Sequence, residues 1–156
     1  MLATNIAETS LTIEGIRLVV DSGLERVAKF DLKTGITKLE QVKISQSSAE
    51  QRAGRAGRIE EGLCVRFYSE TQLMQQPSVP EPEILHSDLS SLVAELTQWG
   101  ASRADELHWL DVPPQASIEQ ATELLQELDL LDSNGQFTSV GKQAQRLGIE
   151  PRIASM

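Results

Sequence analysis

At 156 residues, with 40% hydrophobic and 24% charged side chains, the chain is sized and composed for one ordinary globular domain or two small ones. No apolar run approaches the ~20 residues of a membrane span, the N-terminus lacks the basic start and apolar core of a signal peptide, and the lone Cys64 excludes an internal disulfide or a cysteine metal cluster, as in a reducing cytoplasm. A net charge of −9 argues against nucleic acid until its distribution is read: residues 1–72 hold ten basic and ten acidic side chains, residues 73–156 four against thirteen, and residues 26–58 eight against three.

Residues 1–14 read as a strand end running into a polar turn and a short helix. Thr4, Asn5, Thr9, Ser10 and Thr12 crowd hydroxyls and an amide together, where they can cap the helix or contact a ligand. Ile16 to Asp21 is β-branched and apolar, as a buried parallel strand would be. Leu24–Asp31 and Ile36–Val42, on either side of Lys33-Thr34-Gly35, predict a β-hairpin with a basic face. Such an insertion with a basic face is more often functional than decorative, the plainer alternative being a surface hairpin whose lysines protect an exposed edge.

Ser47 is placed to cap the next helix, with Glu50 completing a capping box. That helix carries Gln51-Arg52-Ala53-Gly54-Arg55-Ala56-Gly57-Arg58. Three arginines at a spacing of three would stand on neighbouring turns of one helical face, which is unfavourable unless an anion arrives, and a guanidinium fork suits phosphate oxygens. Gly54 and Gly57 would let a ligand or a second domain approach the backbone. A solvated basic helix is the plainer alternative, but each glycine would cost it about 1 kcal/mol relative to alanine.

Gly62 to Tyr68 predicts a last core strand with Cys64 as buried filler, and Ser69-Glu70 opens a short helix to about Met74. Residues 75–83, with three prolines, are the linker. Beyond it, Leu89, Leu92, Val93, Leu96 and Trp99 mark an amphipathic helix capped by Ser87 or Asp88 and stopped at Gly100. Ile118, Ala121, Leu124, Leu125 and Leu128 mark another; Asn134-Gly135 predicts a small hairpin, and Val140–Leu147 a last helix. His86 and His108 are too far apart in sequence to support a metal site.

The octet at 51–58 resembles motif VI of the DEAH-box superfamily-two helicases, and Ala3–Ile13 resembles their motif V. Glu83-Ile84-Leu85 and Leu96–Gly100 are similar to the bacterial HrpB-like branch. The resemblance implies an α/β fold: a partial RecA-like parallel sheet with an inserted β-hairpin, followed by a small, mostly α winged-helix domain. Residues 1–74 would be the C-terminal part of a second RecA-like domain, 75–83 a linker, 84–148 a degenerate winged helix and 149–156 the start of a helical bundle. Because 115–132 carries no basic and five acidic residues, that winged helix is expected to pack rather than read a groove.

The resemblance also implies roles. Gln51 would orient the attacking water, while Arg55 and Arg58 would be arginine fingers toward ATP. For Arg52 the finger role is open, a structural salt bridge or domain contact being at least an equal alternative. Glu14 stands where the family places an aspartate against the ribose, and Thr4, Asn5 and Thr12 would meet the nucleic-acid backbone. The implied partners are single-stranded RNA or DNA and a first RecA-like domain. ATP would act with Mg2+ held outside this chain, since the sequence contains neither a phosphate loop ending in Gly-Lys-Ser/Thr nor an Asp-Glu-Ala-His segment. The chain therefore reads as a helicase fragment inactive by itself. Two other classes remain open: a regulatory protein presenting arginine fingers to another ATPase, and a winged-helix binding module unrelated to ATP.

Overall fold

The computed structural model describes residues 2–9, 14–101 and 106–154. Its elements run α1 (Ile6–Thr9), β1 (Leu18–Asp21), β2 (Leu24–Asp31), β3 (Ile36–Lys43), α2 (Gln46–Ala53), β4 (Leu63–Arg66), α3 (Glu70–Met74), a 3-10 turn (Glu83–Leu85), α4 (Ser90–Trp99), α5 (Gln115–Glu127), α6 (Ser139–Leu147) and α7 (Pro151–Ala154). They form two units: residues 1–28 with 39–81, and residues 29–38 with 82–156. Among the described residues no helix is long and apolar enough to cross a membrane.

In the first unit β1 and β4 pair in parallel, Leu18 opposite Leu63 through Asp21 opposite Arg66. The N–H groups of Leu63 and Phe67 extend the ladder to the carbonyls of Arg17 (2.7 Å) and Asp21 (2.9 Å). The strand is parallel, as expected from its residues, but not buried: Leu18 and Val20 are each 57% exposed. Among the described residues the sheet has two strands, so its apolar side chains have no neighbouring strand beside them. Cys64 is only half-buried for the same reason.

Helix α2 begins two residues earlier than a Ser47 cap predicts. Ser45, not Ser47, caps it by accepting the Ser48 N–H (3.1 Å), so Glu50 is out of register for a capping box. Two more of its early N–H groups are satisfied by linker carbonyls, Gln46 to Pro77 (2.9 Å) and Ser47 to Ser78 (3.0 Å). A full capping box appears instead at α3, between Ser69 and Gln72. Ile44, Ala49 and Leu73 form the small apolar core beneath.

The hairpin β2–β3 is present, with β3 exposed along almost its whole length. Asp31 builds its turn, accepting the Lys33 N–H on its carboxylate (3.0 Å) and the Gly35 N–H on its carbonyl (2.8 Å). The tip belongs to the second unit, where Phe30 donates its N–H to the His86 carbonyl (2.8 Å) and Gln120 Nε2 donates to the Leu32 carbonyl (2.6 Å).

Helices α4 and α5 bury Leu89, Val93, Ala94, Ala121 and Leu125 with Leu130 and Leu131. Trp99, expected on this stripe, is 80% exposed. It is the helix's last residue and stands about 80° round from Leu89, at the edge of the stripe beyond Leu92. The cap position of α4 falls on Leu89, with no side-chain cap bond, rather than on Ser87 or Asp88; Asp88 still accepts the Ser90 N–H (2.9 Å). The Asn-Gly hairpin shrinks to one bridge, Leu131 with Phe137, because Asp132 turns the chain by accepting the N–H groups of Asn134 and Gln136. Thr138 then caps α6. The described residues thus give a mixed α/β fold, with a parallel pair of strands and a hairpin followed by a mostly helical segment.

Candidate functional site

The arginine octet does not lie on one helix. Helix α2 ends at Ala53, and residues 54–57 tighten into turns in which Arg55 N–H reaches the Arg52 carbonyl (3.2 Å) and Ala56 N–H the Ala53 carbonyl (3.0 Å). Two glycines within four residues remove the propensity that would carry the helix on. Arg52 is therefore helical, Arg55 sits in the turn and Arg58 lies beyond it, in three different environments.

Arg52 is held by three acceptors. Its Nε donates to Glu8 Oε1 (2.7 Å) and its Nη1 to Asp21 Oδ1 (2.9 Å) and the Leu24 carbonyl (3.0 Å). Burial works against its charge, but Glu8 and Asp21 outweigh that and push its pKa up. Arg52 is thus a salt-bridge residue. Arg55 is 8% exposed and donates from Nη2 to the Glu8 carbonyl. Gln51 and Arg58 are exposed.

The anchor of this arrangement is Asp21, 2% exposed at the end of β1. Besides Arg52 it accepts the Tyr68 hydroxyl (2.6 Å) and the Gly23 N–H (3.0 Å). Burial raises the Asp21 carboxyl, yet the bonds from Tyr68, Gly23 and Arg52 together hold it below the usual carboxylate value. The same contact acts in reverse on Tyr68, whose phenol is pushed up by burial and then by the Asp21 charge. Burial, followed by repulsion from Glu8, raises Glu25.

Two glycines make the packing possible, and neither is in the octet. Gly23 has φ +74°, and a Cβ there would come within 2.5 Å of the Tyr68 ring; at Gly62 it would meet the Ala56 carbonyl at 1.5 Å. At Gly57 a Cβ would meet nothing within 4 Å.

A cleft of about 940 Å3 opens over β1, walled by Thr4, Asn5, Glu8, Arg52 and Arg55 and by the base of the hairpin, including Arg26. Of the residues singled out in the sequence, it brings together Thr4, Asn5 and Arg55. Gln51, Arg58 and the exposed Glu14 are not among its walls, and Thr12 lies outside the described residues. Among the described residues no group of three His, Cys, Asp or Glu side chains stands close enough to hold a metal ion.

Sequence reasoning did not single out Glu8, Asp21 or Tyr68 as site residues. A signal existed for Asp21: a carboxylate directly after Leu18-Val19-Val20 must find a partner if the strand packs. Nothing local marks Glu8 or Tyr68, which reach their partners over 44 and 47 residues.

Residues 1–60 match the model of the helicase conserved C-terminal domain. Over its full length the chain is 50% identical to the ATP-dependent RNA helicase HrpB of Escherichia coli, spanning 19% of that protein. It is 37% identical to the ATP-dependent RNA helicase HrpA of E. coli, spanning 12% of it. It is 40% identical to the probable ATP-dependent RNA helicase DHR2 of Saccharomyces cerevisiae, spanning 21%. The crystal structure of E. coli DEAH/RHA helicase HrpB superposes with a TM-score of 0.92 over 98% of this chain and 19% of that one, at 50% identity. The chain thus spans about a fifth or less of these curated relatives.

Proposed function

We propose that the chain is part of a DEAH-box helicase of the HrpB-like branch, an ATP-dependent RNA or DNA helicase to which it contributes arginine fingers and backbone contacts to single-stranded nucleic acid. In this reading residues 1–74 belong to the second RecA-like domain, 75–83 link it to a winged helix at 84–148, and 149–156 begin a helical bundle. The protein works in the cytoplasm.

One observation carries the proposal: Thr4 and Asn5, suited to a phosphate backbone, and Arg55, suited to a nucleotide phosphate, wall the same cleft. Hydrolysis of ATP develops charge on the oxygens of the transferred phosphoryl group, which fixed cations stabilise. Arg58 and Gln51, both exposed, are free to meet a nucleotide held on a first RecA-like domain, Arg58 as a finger and Gln51 to orient water. Arg55 would join them by exchanging its bond to the neutral Glu8 carbonyl for a stronger charge-assisted bond to phosphate. Glu14, exposed, would take the ribose, and Thr12 would extend the backbone contacts. ATP would act with Mg2+, whose ligands are expected outside this chain.

In the complete protein, Arg58→Ala is expected to lower kcat for ATP roughly 10³-fold with an unchanged melting temperature. Unchanged turnover would sink the finger assignment. The isolated 156-residue chain is expected to show no ATP turnover at all.

A further inference from the structure

Three segments far apart in sequence meet at Arg52. Helix α1, directly after Thr4 and Asn5, supplies the Glu8 carboxylate (2.7 Å); β1 supplies Asp21 (2.9 Å); α2 supplies Arg52 itself, three residues before Arg55. Glu8 also acts a second time, through its carbonyl on Arg55. Asp21 is in turn fixed by the Tyr68 hydroxyl (2.6 Å), just beyond β4. The Glu8, Asp21 and Arg52 side chains are 11%, 1% and 15% exposed, so these pairs are shielded from the screening that makes surface pairs weak.

We infer that Glu8 and Asp21 are positioning residues: through Arg52 they set the spacing between the segment bearing Thr4 and Asn5 and the segment bearing Arg55, so that nucleic acid on the first changes the placement of the second. The inference rests on the helicase reading above and adds to it the residues that join the two contact sets. The geometry is specific in one respect. Because the Glu8 main chain holds Arg55 while its side chain holds Arg52, a shift of α1 moves the acceptors of both arginines together. Neither Glu8 nor Asp21 needs to touch nucleotide or nucleic acid for this.

The test uses the complete protein that carries this chain, with ATP turnover measured without and with an oligouridylate. Glu8→Gln keeps the side chain's size and removes its charge. It is expected to lower the melting temperature and to cut the ratio of RNA-stimulated to unstimulated turnover roughly tenfold. Glu8→Asp, which keeps the charge, should restore part of the stimulation. Tyr68→Phe removes one donor from Asp21 and should give a smaller loss in the same direction; it decides the matter by the same split if Glu8→Gln does not fold. Full stimulation in Glu8→Gln overturns the inference. So does a fall of stimulated and unstimulated turnover by one common factor, which is what a purely structural role would give. In both cases the helicase reading stands. An unaltered protein whose turnover ignores oligouridylate and oligothymidylate alike overturns that reading, and this inference with it.

Discussion

The first unit ties its distant segments together with polar groups, and the second with apolar ones. Asp21, Arg55, Ser45 and Ser48 are all at 8% exposure or less in the first unit, beside a small apolar cluster of Ile44, Ala49 and Leu73 among the described residues. In the second, Leu89, Val93, Ala94, Ala121, Leu125, Leu130 and Leu131 form one apolar cluster. Directional bonds demand particular partners at particular distances, whereas hydrophobic burial demands only area and volume. The first arrangement should therefore be sensitive to single charges and to pH, and the second to lost volume.

The largest effect is expected from Asp21→Ala, which strands the half-buried Arg52 and Tyr68 groups and should cost about 4 kcal/mol in a urea melt followed by far-ultraviolet circular dichroism. The chain's two tryptophans, Trp99 and Trp109, both belong to the second unit, so their emission follows that unit alone. If their transition moves as far as the dichroism does, the contrast between the units is broken. Leu125→Ala comes next. It empties a fully buried position and should cost about 3 kcal/mol, read in tryptophan emission, whereas Leu125→Met should cost less than about 1.5 kcal/mol. Equal losses for the two substitutions would mean that shape, not volume, governs that core.

The response to pH sharpens the same contrast. The Asp21 carboxyl lies below its ordinary value of 3.8 when folded, so the unfolded chain binds the proton more readily. Its stabilisation is complete above that ordinary value and is lost as pH falls through the depressed one. Tyr68 works at the other end. Its phenol lies above the ordinary value of 10.0, so its contribution is present below that pH and is lost as pH rises through the folded value. Acid titration should therefore disturb dichroism before tryptophan emission. The smallest effect is expected from Arg17→Ala, which removes a pair to Glu60 between side chains 70% and 57% exposed. It should change stability by about 0.5 kcal/mol or less in the same melt.

The legible parts of the fold are those written in local pattern. Val93, Leu96, Ala121 and Leu125 recur at helical spacing and are buried on α4 and α5; the hairpin was marked by Lys33-Thr34-Gly35; β1 was marked by its apolar run. Caps were less legible, because Ser45, Ser47 and Ser48 are all acceptable cap residues and only the Pro77 and Ser78 carbonyls, some 30 residues on, discriminate among helix starts. In the site, Thr4, Asn5 and Arg55 were readable as residue types, but their shared cleft was not.

The arginine octet divides the two kinds of information. Its order of residues is enough to announce a cluster of guanidinium groups made for anions, and its glycines are enough to forecast that a regular helix there would be weak. Which arginine turns inward is a different matter. Arg52 and Arg55 are claimed by Glu8 and Asp21 and Arg58 is left exposed, because carboxylates and carbonyls from α1 and β1 reach the end of α2 only in the folded chain. Charges three residues apart are equivalent in the chain, and become unequal when folding withdraws water from some of them and supplies acceptors in its place.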